Sequence, residues 1–412
     1  MEPINVLRRM RRWSGNFSKP PGPERISIFL TNRCNLNCRH CWRQWAEWDR
    51  SCASELPDAR WLRLVDEAAE MGARHWIFLG GGEPLVRRNL VVQMIEKMAC
   101  YNMSSLIHTN GTLFSPEMIE KIMGKNVQSI NFSIDGPDAA TNDYIRGGGF
   151  EKAIANMRYF ADAKHKLGVK FPCLYLYVTI TNLTYDRVDH FVDLAASIDP
   201  DVRILLSALI VEEDATAQLA LSPEQRCTFP EMIQKGIRRA EELGIVTNFQ
   251  RYLDVELTED STNMQRNVRT TQRLGLSGAM CYEPWLSAAI MPDGALGPCC
   301  AFYESRRPLS IKDLTFEQVW LGAYMARVRE GMFNGKPPAY CARCPSNLFV
   351  DKEEMRIFLT EYLRRDEAPR YKRWAGIVRR LGATLREQGP TGLRRHIQAW
   401  WKFHRKQREE SS

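Results

Sequence analysis

From residue 26 to about residue 249, six short β-rich runs alternate with helical segments, and this alternation narrows the possible folds more than any other feature of the chain. The runs are ISIFLT (26–31), HWIFLG (75–80), MSSLIHT (103–109), QSINFSI (128–134), CLYLYVTIT (173–181) and VRILLSALI (202–210). They are almost continuously apolar, the pattern of parallel strands covered on both faces. The segments between them are amphipathic. Residues 57–72 set Trp61, Leu64, Val65, Ala68 and Met71 on one stripe and stop at Gly72. Further helices are expected over 87–100, 115–124, 150–167 and 184–198. Six β-then-α units predict an α/β fold: a parallel sheet curled into a partial (β/α)6 TIM-like barrel, with its chemistry at the C-terminal ends of the strands.

The remainder divides by composition. A basic segment (1–25) precedes the barrel (26–250), and a polar linker (251–280) follows it. A β-like, cysteine-bearing region (281–350) and a basic helical tail (351–412) complete the chain of 412 residues. The formal charge is +8, and residues 352–412 alone carry 16 Lys+Arg against 8 Asp+Glu, so the tail accounts for the whole excess. Its arginines interleave with Trp374, Ile377, Val378, Leu381 and Leu385, as Arg8, Arg9, Arg11 and Arg12 do with Leu7, Met10, Trp13 and Phe17. That pattern fits peripheral contact with an anionic membrane or a docking helix with a solvated face. No groove-reading motif accompanies the charge, so nucleic acid is not an expected partner. No apolar run approaches the roughly 18 residues of a spanning helix, and the N-terminal residues carry no secretory h-region. The expected location is cytoplasmic, with the inner face of the membrane as a peripheral site. There the twelve cysteines read as metal ligands rather than a disulfide framework.

Seven cysteines are grouped. CNLNCRHCW (34–42) places Cys34, Cys38 and Cys41 in the loop after the first strand. A zinc site or an ordinary iron–sulfur cluster takes four protein ligands. Three leave two readings: a zinc knuckle that borrows a distant ligand, or a cubane with one iron open to a small molecule. GGGEPL (80–85), IHTNG (107–111) and SIDGP (133–137) end strands two, three and four, and each also reads as a turn.

In this order and position the motifs resemble the radical S-adenosylmethionine (SAM) superfamily over residues 26–250, with His40 where an aromatic residue usually precedes the third cysteine. The resemblance implies that Cys34, Cys38 and Cys41 hold a [4Fe–4S] cluster whose open iron binds SAM, and that reductive cleavage yields a 5′-deoxyadenosyl radical. It also implies cofactor contacts. Gly80, Gly81, Gly82 and Glu83 would meet the methionine amine, and Ser133 and Asp135 the methionyl or ribose part. Thr109 and Asn110 would face the mouth, and Arg146 would reach the cofactor carboxylate or lie solvated.

In the second group, Cys281 and Cys299 flank a Pro292-Asp293-Gly294 hairpin turn, and Cys341 and Cys344 form a CxxC. Four cysteines make a closed site, for zinc or for a second cluster. The order CxxPW…PDGxxxPCC…W…CxxC resembles the SPASM/twitch extension of the same superfamily. No cysteine follows Cys344, which points to the shorter, twitch-like form with one auxiliary [4Fe–4S] cluster on Cys281, Cys299, Cys341 and Cys344. Cys300 is the alternative to Cys299.

The expected function is therefore a radical SAM enzyme that takes a hydrogen atom from a peptide, sugar or lipid-linked substrate in an oxidative modification. Its reductant would be a flavodoxin or ferredoxin. The alternative is a non-catalytic iron–sulfur electron carrier or redox sensor, which would need neither the GGE nor the SxD stretch. No catalytic acid or base stands out, although Glu212, Glu213 and Asp214 follow strand six towards the mouth.

Overall fold

The computed structural model describes residues 21–41, 53–209, 216–253, 281–300, 309–333 and 336–343. Glu212, Glu213, Asp214, Cys344, the expected linker beyond residue 253 and the basic tail lie outside the described residues, as do residues 1–20.

Six strands stand where the apolar runs predict them: β1 (Arg25–Phe29), β2 (His75–Leu79), β3 (Ser104–Thr109), β4 (Val127–Ser133), β5 (Cys173–Ile180) and β6 (Arg203–Ala208). Between them run α1 (Asp58–Glu70), α2 (Arg88–Cys100), α3 (Pro116–Ile122), α4 (Ala139–Arg146), α5 (Phe150–Leu167) and α6 (Val188–Ile198), followed by α7 (Pro223–Leu243). Helix α1 buries Trp61, Leu64, Val65 and Ala68 of the expected stripe, Met71 caps the helix partly buried, and the chain leaves it through Gly72 at φ +84°. Helices α4 and α7 were not among the expected ones. Asp138 caps α4 by accepting from Thr141 N, and Ser222 and Gln225 form a capping box on α7.

The sheet runs further than the barrel motif predicts. The short helix α8 (Glu283–Leu286) leads into β7 (Ser287–Ile290), which pairs in parallel with β1, and β8 (Leu296–Gly297) returns antiparallel. The order is β6-β5-β4-β3-β2-β1-β7-β8, so β1, first in the chain, is an inner strand. The Pro292-Asp293-Gly294 turn makes the hairpin as expected, with Gly294 at φ +84°. Helices α9 (Phe316–Trp320) and α10 (Ala323–Phe333) and a 3₁₀ turn (Ala339–Arg343) follow. At the other edge the Asn248 side chain imitates a strand: its Oδ1 accepts from Leu206 N at 2.8 Å and its Nδ2 donates to Leu206 O at 2.9 Å. With the Ile204–Thr247 bridge beside it, this contact covers the middle of the β6 edge.

The two faces differ, which corrects the expectation of strands covered on both. Ile26, Ile28, Trp76, Phe78, Ile107, Ile130, Phe132, Leu174, Leu176 and Val178 face the helices and are buried. The alternate residues face the lumen. On β5 these are Cys173, Tyr175, Tyr177 and Thr179, all half-buried. Near β1 the lumen side is closed by a small apolar cluster of Phe29, Ala289, Met291 and Ala295, packed by Leu79 and Tyr340. Elsewhere the lumen wall is mixed, with Ile77, Leu106 and Leu205 beside His108, Asn131, Tyr175, Tyr177 and Thr179. Among the described residues no helix is long and apolar enough to cross a membrane.

Candidate cofactor site at the mouth of the barrel

The loop carrying Cys34, Cys38 and Cys41 leaves β1 at the C-terminal end of the sheet. Several anchors hold it, most of them unannounced in the sequence. Thr31 donates to the Glu55 carboxylate, which also accepts from Asn32 N at 3.3 Å and from Arg33 at 3.1 Å. Asn110 Nδ2 donates to Asn35 at 2.9 Å, and Asn35 in turn donates to Thr112 at 2.8 Å. Arg39 N donates to Ile145 O at 2.8 Å, and the Arg39 guanidinium lies 4.2 Å from the Tyr144 ring centre. The loop is thus tied to β3 and to the end of α4.

The glycine turn after β2 presses on the same loop. Gly82 N donates to Thr31 O, and Glu83 N to Arg33 O, each at 2.8 Å. A Cβ on Gly82 would stand 1.8 Å from the Arg33 carbonyl oxygen, so only glycine permits this approach. Glu83 is buried, and burial raises its pKa. Three donors of the chain pull the other way: Asn110 N at 2.8 Å, the Thr109 hydroxyl at 2.7 Å and Leu85 N at 3.1 Å. The carboxylate therefore fixes the β2 and β3 ends to each other, and Oε2, with one donor, keeps acceptor capacity.

After β4, Asp135 is fully buried. Burial alone would raise its pKa, but the Arg146 guanidinium, His40 and the Thr179 N–H at 2.7 Å together hold it below the usual carboxylate range. His40 Nε2 lies 3.3 Å from Asp135 Oδ2, and burial lowers the pKa of the imidazole. Arg146 is also buried, and the charge of Asp135 and the nearby Cys38 and Cys41 raises its pKa against that burial. Burial pushes the Cys38 thiol up to about 11, with Arg146 opposing. Arg146 is thus neither solvated nor loose; it is the fixed positive charge between Asp135 and the cysteine loop. Ser133 stands half-buried at the end of β4.

The three thiols share one loop, and Cys34 and Cys41 both act on Cys38 electrostatically. Among the described residues no three Cys, His, Asp or Glu side chains converge on one ion-sized point. A cubane makes no such demand, because each thiolate binds a different iron. Three thiols beside a buried cation, under a glycine turn that only hydrogen fits, suit a cluster at this mouth.

In the second group Cys281, Cys299 and Cys341 are each half-buried, and Cys281 and Cys341 pack on the main core. Cys299 and Cys341 both lie close enough to Tyr340 to act on its hydroxyl. Cys300 instead acts on Arg25 and Tyr177. Region and barrel are joined by an ion pair, Arg25 to Glu283 at 2.6 Å, with Ser287 donating to the same carboxylate.

A parallel partial barrel with a three-cysteine loop over its mouth, extended by a cysteine-bearing hairpin, defines a protein built around iron–sulfur chemistry. The radical SAM superfamily model matches residues 28–195, the iron–sulfur cluster-binding SPASM model matches residues 281–345, and the chain belongs to the radical SAM superfamily with a SPASM-type extension. That membership implies a SAM-binding [4Fe–4S] cluster, SAM and auxiliary iron–sulfur binding. The chain is 36% identical over 143 residues to an AdoMet-dependent heme synthase of Methanosarcina barkeri, covering 34% of this chain and 40% of that one. It is 32% identical over 178 residues to a PqqA peptide cyclase of Methylorubrum populi, covering 43% and 44%. The matched stretch thus spans less than half the length of these curated relatives. The crystal structure of Streptococcus suis SuiB bound to S-adenosylmethionine shares the fold, with a TM-score of 0.55 and 17% identity over 74% of this chain and 66% of that one.

Proposed function

We propose that the chain reductively cleaves SAM and takes a hydrogen atom from a substrate seated in the barrel lumen, in an oxidative modification. The convergence of Cys34–Cys41, the Gly82–Glu83 turn and the Asp135–Arg146 pair on one rim, over a lumen wall that is half-buried along β5, carries this reading. When bound, the cluster and SAM supply the one-electron cleavage that makes a 5′-deoxyadenosyl radical. The chain's own residues hold the parts. Cys34, Cys38 and Cys41 would hold the cluster, and the buried Arg146 would set a positive charge against their thiolates. Gly80, Gly81, Gly82, Glu83, Asn110 and Ser133 would form the rim that receives SAM, with Asp135 buried beneath it on Arg146, His40 and the Thr179 N–H. Cys281, Cys299, Cys341 and Cys344 hold the auxiliary cluster, and the Arg25–Glu283 pair fastens that region to β1.

The peptide cyclase relative is named for a peptide, and a peptide is the substrate we favour; a sugar or a lipid-linked molecule are the other classes. A flavodoxin- or ferredoxin-type reductant completes the system. The test uses reconstituted protein with SAM and reductant under anaerobiosis, challenged with membrane or soluble extract from cells grown in deuterated medium. Deuterium in 5′-deoxyadenosine is the expected result. A soluble peptide pool should supply it, whereas the membrane fraction alone would indicate a lipid-linked substrate. Absence of 5′-deoxyadenosine altogether would sink the proposal in favour of an electron carrier.

A further inference from the structure

One hydrogen-bonded group at the mouth joins the cysteine loop to β3 without using a cysteine or the glycine turn. Asn110 Nδ2 donates to Asn35 Oδ1 at 2.9 Å, Asn35 Nδ2 to Thr112 Oγ1 at 2.8 Å, and Thr112 Oγ1 to Asn110 Oδ1 at 2.7 Å. The three bonds close a ring in which each residue donates once and accepts once. Its direction is fixed by the backbone. Thr112 N donates to Asn110 Oδ1 at 2.9 Å, so the Asn110 oxygen must face Thr112 and its nitrogen must face Asn35. Asn35 then turns its oxygen to Asn110 and its nitrogen to Thr112. Bonds aligned head to tail polarise one another, so opening one weakens the other two.

Asn110 is buried and works in two directions. Its backbone N–H donates to Glu83 Oε2 at 2.8 Å, while its side chain holds Asn35, the neighbour of Cys34 in the loop. Both lone pairs of its Oδ1 are taken by Thr112. Thr112 is buried as well and lies against the turn into α5. Gly149 in that turn has φ +94°, and a Cβ on it would stand 2.6 Å from Thr112 Cγ2. No side chain fits there. Asn156 on α5 donates to Gly111 O at 2.8 Å, which pins the Asn110–Thr112 turn to the helix.

We propose that Asn35, Asn110 and Thr112 are positioning residues whose ring sets the spacing between the Cys34 loop and the Glu83 carboxylate. This rests on the reading that the loop holds the cluster and that Glu83 meets the methionine amine of SAM. A ligand gripped at two points binds best when those points already stand at its own spacing, because no ordering is left for the binding step. The Gly82 turn makes one link between Glu83 and the loop, and the ring makes a second through β3. Asn110, expected as a direct contact of SAM, thus serves the rim through Glu83 and Asn35.

The test uses the full chain, reconstituted, oxidised and anaerobic, so that SAM binds without turnover. Equilibrium dialysis measures the Kd of SAM and of 5′-methylthioadenosine, which lacks the methionine amine and carboxylate. Iron and sulfide are counted per chain alongside. Thr112→Val keeps the shape and removes the ring hydroxyl. It should weaken SAM about fivefold, the value of one neutral hydrogen bond, and leave iron loading and the affinity for 5′-methylthioadenosine unchanged. Thr112→Ser restores the hydroxyl and should bind SAM as the unsubstituted chain does. Asn110→Ala opens the same ring, so adding Thr112→Val to it should bring no further loss; Asn35→Ala takes its place in this comparison should Asn110→Ala not fold. Equal weakening of both ligands, a multiplied loss in the double variant, loss of iron in Thr112→Val, or full SAM affinity in Thr112→Val overturns the positioning role. Failure of the unsubstituted chain to bind SAM would instead overturn the proposed activity, so the two failures are told apart.

Discussion

The two faces of this sheet come from the same strands and have opposite characters. On the helix side Ile26, Phe78, Ile130, Phe132, Leu176 and Val178 are sealed, each contributing about 1.5–3 kcal/mol by leaving water. On the lumen side the same strands present His108, Asn131, Ser133, Tyr175, Tyr177, Thr179 and Ser207 beside Ile77, Leu106 and Leu205, most of them half-buried. One face is sealed by helices, and the other is the wall on which the proposed substrate would lie. The difference teaches where damage should appear: substitutions on the outer face should unfold the chain, and those on the inner face should change what it binds.

The largest effect is expected at the rim, where the faces meet. Gly82→Ala puts a methyl group into the Arg33 carbonyl and must displace the cysteine loop. Iron and sulfide per chain should fall to the level retained by Cys34→Ala, and full iron loading would show that the loop does not depend on this approach. Next, Phe132→Ala on the outer face removes a fully buried ring packed against Phe114 and Phe160. It should cost about 3–5 kcal/mol in denaturant unfolding. A loss near zero would mean that the outer face is not the stabilising one.

Much of this was legible in the sequence, for physical reasons that can be named. Strand positions showed because outer-face residues are strongly apolar, and the α1 stripe because a helix buries one side. The cysteine loop showed through spacing. The inner face did not, because Tyr, Leu and Ile serve equally in a core and on a half-open wall. CLYLYVTI is apolar throughout, yet its alternation of Tyr and Thr with Leu, Val and Ile was the signal that one side is open. The Glu55 anchor and the pairing of β7 with β1 were invisible because both depend on partners remote in the chain. His40 read as a departure from a motif; its contact with Asp135 needed the fold to bring the loop onto β4.

A pH series separates the faces without mutation. His108 has a folded pKa of about 4 against an ordinary 6.5, so between those values the unfolded chain binds the extra proton. Its contribution is present above pH 6.5 and is lost as pH falls towards 4, amounting to at most about 3 kcal/mol. His108→Gln should flatten that part of the stability curve, while Phe132→Ala should lower the curve without changing its slope. An unchanged slope in His108→Gln would place the ring in water rather than in an enclosed wall.

The smallest change sharpens the contrast most. Tyr177→Phe keeps the ring against His108 and deletes only the hydroxyl that faces β6. Stability should change by no more than about 1 kcal/mol, the net value of one hydrogen bond between neutral groups. If the lumen wall is a binding surface, substrate-dependent 5′-deoxyadenosine formation should show a raised KM with kcat little altered, because the group touches substrate away from the reacting carbon. A loss in kcat at constant KM would move Tyr177 from the wall into the reaction itself. A loss of stability alone, with both constants unchanged, would make the inner face a second structural face and erase the distinction between the two.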